Sequence, residues 1–325
     1  MDDTDRKLML LLGENPRMHY RELAKRLRIS RQAVHHRMQI LTEAGVFRRM
    51  KPTISVGYFD AVPAAVWGRS RTTSVEKTLD ELGESEFVGR VVVAGDNYLY
   101  VLGCLRDTAE LAGYVEFVRR TAEIPEPTLG MANMDDGIMP DWMSGGKRRK
   151  SYKKLSLLDL RIISSLRDDV RRPTAEIADA LGVSAKTVRR HLETMRSEGS
   201  LDFDEPWDIP LGEDMLTIVH LDLRSDADKV EVAERLISKD PIHAYYFRSF
   251  SNLPSFLLGL VSWDKMSEIR RILREIGEDE DVVTVTPNLL YLERTYSNWA
   301  ERLPASVTHS SESPRRRCLR PGHGT

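Results

Sequence analysis

Residues Tyr20 to Arg49 read YRELAKRLRISRQAVHHRMQILTEAGVFRR, and this stretch decides the fold. Leu23, Ala24 and Leu27 recur at helical spacing and give a first helix one apolar face. Arg28-Ile29 makes a tight turn. Ser30 can then cap a second helix, because its hydroxyl accepts an orphan backbone N–H. Val34, Met38 and Leu41 form the apolar stripe of that helix, and Gly45 ends it where the backbone must turn left-handed. The opposite face carries Arg31, Gln32, His35, His36, Arg37 and Gln39, with no acid before Glu43.

The same reading returns at Thr174 to Phe203, TAEIADALGVSAKTVRRHLETMRSEGSLDF. Glu22 matches Glu176, Ala24 Ala178, Leu27 Leu181, Ser30 Ser184, Val34 Val188 and Gly45 Gly199, always 154 residues apart. Asp5 and Asp159, then Leu12 and Leu166, keep that spacing upstream, so one half of the chain is a copy of the other.

Working outward, Asp5 to Leu12 reads as a preceding helix capped by Thr4. Val46 to Arg49 and Thr53 to Val56 flank Met50-Lys51-Pro52 as a short ribbon with a basic tip, the wing of a winged helix. From Ala61 the signals change. Strands are expected at Ala61 to Trp67, Phe87 to Ala94, Tyr98 to Leu105 and Thr128 to Ala132, and helices at Val75 to Leu82 and Thr108 to Ala122. Gly95-Asp96-Asn97 is a hairpin turn. In the second half, strands fall at Leu216 to Leu221, Ala244 to Phe250, Phe256 to Val261 and Val282 to Thr286, with an extension at Leu289 to Leu292. Its helices fall at Lys229 to Ile237 and Lys265 to Ile276, and Ser156 caps the helix LLDLRIISSL. The order βαββαβ is that of a ferredoxin-like sandwich.

The expected fold class is therefore α+β: two winged helix-turn-helix domains, each followed by a ferredoxin-like βαββαβ domain. The expected boundaries are 1–58 and 59–135 for the first pair, a polar and basic connection at 136–154, and 155–210 and 211–300 for the second pair. A disordered tail rich in Ser, Pro and Arg occupies 301–325.

Composition narrows the function. The formal net charge is −2, which by itself does not suggest nucleic acid. The distribution does: Met1 to Val56 holds twelve Lys/Arg against six Asp/Glu, and Lys147 to Asp204 fourteen against nine. No run is apolar enough to span a membrane, and the acidic start MDDTDRK lacks the apolar region of a signal peptide. With two cysteines, Cys104 and Cys318, no disulfide framework forms, which fits a cytoplasmic setting. His35 and His36 point in different directions on a helix, and with His191 they have no cysteine partner. No Walker or dinucleotide glycine loop occurs either, so neither metal nor cofactor is expected.

A winged helix followed by βαββαβ resembles the Lrp/AsnC, or feast/famine, regulators. The residues that carry the resemblance are Arg21-Glu22-Leu23-Ala24, Ile29-Ser30-Arg31-Gln32-Ala33-Val34, Gly45-Val46 and the hairpin Val93-Ala94-Gly95-Asp96-Asn97-Tyr98-Leu99. The resemblance implies DNA binding through the second helix of each motif, pairing of the βαββαβ domains through their sheets, and an amino-acid-like effector near the hairpin. Both copies lie in one chain, so the expected assembly is an internal pseudo-dimer with two heads, open to further homo-oligomerisation. Such heads would read two half-sites about one helical turn apart, or a multiple of it.

The expected contacts to double-stranded DNA are Ser30, Arg31, Gln32, His35, His36 and Arg37 on the recognition helix. Arg and Gln suit paired bonds to base edges. Arg48, Arg49 and Lys51 on the wing suit phosphates. In the second head Ser184, Lys186, Thr187, Arg189 and Arg190 hold the same face, beside the more acidic Asp202 and Asp204. Two readings stand for that head, a weaker DNA binder or a structural copy, with binding favoured. The run Lys147 to Lys154 reads as a solvated linker first. Gly95, Asp96 and Asn97 are the expected effector contacts.

The competing class is an enzyme. Siroheme decarboxylases of haem biosynthesis also consist of AsnC-like halves, and His243-Ala-Tyr-Tyr-Phe-Arg248-Ser-Phe-Ser-Asn-Leu-Pro254 resembles their His/Tyr/Arg-rich stretch. The first half has Val88-Gly89-Arg90-Val91 at that place, without His or Tyr. A regulator, not an enzyme, is the favoured expectation.

Overall fold

The computed structural model describes residues 2–43, 52–54, 56–132, 137–138, 155–167, 169–203, 215–239 and 244–300. The wing tip, the basic run before the second head, His243 and the tail beyond Pro304 lie outside these residues. The chain divides into two compact units. One comprises Met1–Ala61, Gly145–Asp208 and Trp299–Thr325, and the other Val62–Ser144 and Ile209–Asn298.

The first unit holds both three-helix heads. Helices α1 (Asp3–Glu14), α2 (Tyr20–Leu27) and α3 (Arg31–Glu43) form one head. Helices α6 (Leu157–Ser165), α7 (Thr174–Leu181) and α8 (Ala185–Ser197) form the other. The N-cap of α1 is Asp2, not Thr4: Asp2 accepts from the Asp5 backbone while the Asp5 carboxylate accepts from Asp2, a reciprocal cap. Ser156 caps α6 as expected, and Asp159 completes the same reciprocal device there. Strand β1 (Pro52–Ile54) pairs antiparallel with β7 (Leu201–Phe203) of the second head, Ile54 opposite Leu201. The described part of the first wing is thus bonded to the other copy, whereas the sequence suggested a partner within its own head.

The second unit is one nine-stranded sheet with helices on one face. Its strands are β2 (Val62–Arg69), β3 (Val88–Ala94), β4 (Tyr98–Leu105), β5 (Thr128–Met131), β6 (Gly137–Ile138), β8 (Met215–Leu223), β9 (Ala244–Phe250), β10 (Leu253–Trp263) and β11 (Val282–Thr295). They run in the order β5-β2-β4-β3-β11-β8-β10-β9-β6. Each copy contributes the ferredoxin-like order, fourth-first-third-second. Helices α4 (Val75–Gly83) and α5 (Leu111–Thr121) cover the first copy, and α9 (Lys229–Lys239) and α10 (Met266–Gly277) the second. The segment expected as one helix from Thr108 opens instead as a 3-10 turn, Thr108–Glu110. The polar connection after Ala132 contributes β6, whose Gly137 and Ile138 pair with Arg248 and Phe247.

Strand β11 runs on through the expected extension. Val282 to Thr286 and Leu289 to Leu292 are one 14-residue strand through Pro287. Its first part pairs with β8, and its last part with β3 of the other copy, which joins the two half-sheets. At the far junction Ser251 donates to the Met131 carbonyl at 2.8 Å. The Asn252 side chain accepts from Met131 at 2.7 Å and donates to Leu129 at 2.8 Å. The two turns, Gly95-Asp96-Asn97 and Ser251-Asn252, therefore do the same job, each seating against the last strand of the other copy.

Alternate residues fill two kinds of core. Ala64, Val66, Val91 and Val93 face α4 and α5. Ala65, Trp67, Val92 and Ala94 face the sheet of the second copy, against Leu216, Ile218 and Phe250. Burial on both faces explains the near-continuous apolar strands. Inside this second core the Tyr100 hydroxyl lies at 2.7 Å from His220 Nε2 and accepts from Asn288 at 2.7 Å. Burial holds His220 down at about 4, so the imidazole is neutral.

One ion cluster sets an acid limit. Asp279, its side chain 2% exposed, receives two bonds from Arg235 and one from Lys239. These donors, Arg235 first, hold its carboxyl down at about 2. A depressed carboxyl stabilises the fold above its unfolded pKa, and that stabilisation fades as pH falls through the folded one. Wild type should lose about 2 kcal/mol between roughly pH 4 and pH 2 through this group. Asp279→Asn should flatten that limb in urea melts across the range. An unchanged acid limb would refute the assignment.

Candidate nucleic-acid interface

The two helix-turn-helix motifs are built alike. Arg28 (φ 57°) ends α2 in the left-handed region, as Gly182 (φ 67°) ends α7. Ser30 Oγ accepts the Ala33 N–H and Ser184 Oγ the Thr187 N–H, both at 3.0 Å. Val34, Met38 and Leu41 are buried under α3, and Val188, Leu192 and Met195 under α8. With those stripes inward, Ser30, Arg31, Gln32, His35 and His36 are exposed on α3, and Ser184, Lys186, Arg189 and Arg190 on the second head. Thr187 is half-buried, its hydroxyl 2.8 Å from Ser184 Oγ.

Arg37 departs from the expectation of a DNA contact. Its guanidinium bonds Asp5 at 2.6 Å and Asp2 at 2.8 and 2.9 Å, tying α3 to the cap of α1. The equivalent His191 bonds Asp159 at 2.6 Å. In both copies this position locks the recognition helix onto the first helix. Arg48, Arg49 and Lys51 lie outside the described residues, as does Asp204.

A pair of arginines escaped the sequence reading. Arg17 donates to the carbonyls of Val170 and Arg172, the latter at 2.9 Å. Arg171 donates to the carbonyls of Pro16 at 2.6 Å and Met18 at 2.8 Å. The two arginines are themselves 154 residues apart, so each copy clasps the other through the same residue. That repeat, in a loop where little else matches, was the available signal. Arg171 also reaches a groove lined by His19, Tyr20, Arg21, Glu22, Lys25 and Arg31 of the first head.

In the second unit, Asp96 (φ 59°) and Asn97 (φ 57°) take the two left-handed positions of a tight hairpin turn. Gly95 donates to the Leu289 carbonyl at 2.9 Å, and Asn97 Nδ2 to Thr72 at 2.9 Å. Asp96 pairs with Arg69 at 2.8 Å, both side chains 70% exposed. Arg248 lies over the Tyr246 ring at 5.1 Å. Among the described residues no cluster of His, Cys, Asp or Glu could hold a metal ion. None of the described helices is long and apolar enough to cross a membrane.

The comparisons agree with this geometry. The winged helix-turn-helix DNA-binding family matches residues 1–48 and again 155–199. An HTH-type transcriptional regulator of Pyrococcus abyssi is 30% identical over 125 residues, 35% of this chain and 74% of that protein. The regulator LrpA of the same organism is 28% identical over 135 residues, 41% of this chain and 93% of that protein. Among solved structures, the siroheme decarboxylase NirDL superposes with a TM-score of 0.59 at 14% identity, covering 93% of this chain and 96% of that one, a likeness of fold. The chain belongs to the Lrp/AsnC family of HTH-type transcriptional regulators and carries the family's unit twice.

Proposed function

We propose that the protein is a sequence-specific double-stranded DNA-binding regulator, an internal pseudo-dimer whose first head reads bases and whose second head adds a weaker contact. The observation that carries this reading is the exposed, acid-free opening of α3. Arg31 and Gln32 stand there beside His35 and His36, on a helix fixed by Ser30, the buried stripe and Arg37. Arg and Gln at the start of a recognition helix can each form paired bonds with a base edge. Arg48, Arg49 and Lys51 are assigned to phosphates.

An amino-acid-class effector is assigned to the Gly95-Asp96-Asn97 turn. The exposed Arg69–Asp96 pair offers one cation and one carboxylate, matched to the two charges of an amino acid. The turn also seats against β11 through Gly95, so a ligand there would bear on the junction between half-sheets.

The test is binding of the full chain to DNA from upstream of its own gene, against random DNA, across a salt series. Preference for the upstream DNA with affinity falling steeply in salt is the expected result. Gln32→Ala or Arg31→Ala should cost about 1–3 kcal/mol and relax base preference, while Arg49→Ala weakens all sequences alike. An amino-acid panel in the same titration should shift the affinity, and Asp96→Ala should abolish the shift. If Gln32→Ala leaves affinity and preference untouched, the recognition helix is misassigned. Absence of binding at low salt, with a Soret band on adding siroheme that His243→Ala removes, would replace the regulator by the enzyme.

A further inference from the structure

The reciprocal clasp is symmetric in its hydrogen bonds but not in what lies beyond them. Arg171 of the second head, besides its two carbonyls, lies over the ring of Tyr20 at 4.9 Å. Tyr20 opens α2, and its ring meets the His35 imidazole edge-on at 5.9 Å. His35 is on the exposed face of the recognition helix. A contiguous path thus runs from the second head, through one cation–π contact and one ring contact, to a side chain assigned to DNA. The mirror path is missing. Arg17 clasps the second head in the same way, but the residue matching Tyr20 is Thr174 and that matching His35 is Arg189. Neither of these two residues carries a ring to relay anything.

We propose that Arg171 is a positioning residue: the second head, through Arg171 and Tyr20, sets the orientation of His35 and thereby the base preference of the first head. The second head is then a specificity device for the first, and the converse does not hold. This inference rests on the DNA-binding reading above. The physical argument is one of preorganisation. His35 has two torsions to fix before it can meet a base, and the Tyr20 edge limits them. Tyr20 is itself held by a guanidinium whose two amino groups are already committed to the Pro16 and Met18 carbonyls. Arginine suits this place better than lysine, since only a planar fork can bond two carbonyls and lie over a ring together.

The test compares wild type, Arg171→Ala, Arg171→Lys, Tyr20→Phe, Tyr20→Leu and Arg17→Ala on duplexes selected by the wild type from a random pool. Arg171→Ala, Arg171→Lys and Tyr20→Leu should lose about tenfold in affinity for the selected duplex. They should also flatten base preference in the first head's half-site, with the salt slope unchanged. Tyr20→Phe keeps the ring and should behave as wild type. Arg17→Ala should keep base preference in that half-site. The free proteins give a readout independent of DNA: the His35 ring resonances should move in Arg171→Ala and stay in place in Arg17→Ala.

Rescue by Arg171→Lys, with the salt slope of Arg171→Ala lower by about one, would make Arg171 a direct phosphate contact and overturn the proposal. Unmoved His35 resonances in Arg171→Ala would overturn it as well, whether or not that variant still bound DNA. A wild type that selects no sequence, while its His35 resonances respond as expected, would refute the DNA-binding reading instead and leave only the mechanical relay.

Discussion

Trp67→Ala should be among the most destabilising single substitutions in the sheet unit, costing about 3–5 kcal/mol. The indole is 2% exposed. It stacks on Phe256 at 5.7 Å and 17°, meets Phe250 at 5.1 Å, and has His220 at 6.3 Å. Trp67 comes from the first copy and its three ring partners from the second, so the cavity opens between half-sheets. The strands around it are held by ladders on both sides and cannot collapse to fill the void. Gly130 shows how tightly the site is filled: a Cβ there would lie 2.4 Å from the Phe250 ring and 2.7 Å from that of Trp67. For a unit of this size the loss corresponds to a fall in melting temperature of about 10 °C. Calorimetry with near-ultraviolet circular dichroism would measure it. A cost under about 1 kcal/mol would mean that Trp67 is not the contact between copies.

The core between copies was only half legible in the sequence. Its strands were, because Ala64 to Trp67 and Val91 to Ala94 are apolar without alternation. That pattern says both faces are buried but does not say against what. The pairing partner is a long-range fact. Nothing local in Leu289 to Leu292 says that β11 will pass from β8 to β3. The heads were more legible, because caps, turn and stripe all lie within a few residues of one another. Even there Arg37 was assigned to DNA from its place on the helix, since the carboxylates that hold it come from Asp2 and Asp5, more than thirty residues earlier. The turn at Asp96-Asn97 was read correctly from its residue types, but the backbone bond to Leu289 that gives it a second role depends on the other copy.

The second large effect is expected at Gly103, where Gly103→Val should cost about 3 kcal/mol. Gly103 lies on β4 between Ala64 and Val88. A Cβ at this position would stand 2.5 Å from Cζ and the hydroxyl oxygen of Tyr114. Tyr114, on α5, is 1% exposed and donates from its hydroxyl to the Val101 carbonyl at 3.1 Å. The missing side chain is the space in which the phenol lies flat on the strand. Valine would satisfy the strand's own preference yet drive the ring out of register with its acceptor, so overpacking and a lost buried hydrogen bond act together. The two contributions can be separated by pairing Gly103→Val with Tyr114→Leu, which removes both the clash and the hydroxyl. If the packing is as described, the double variant is more stable than the sum of the single losses predicts, by an amount of order 1–2 kcal/mol in a double-mutant cycle. Strict additivity would mean that Gly103 and Tyr114 do not share this space, and that the glycine serves the backbone alone.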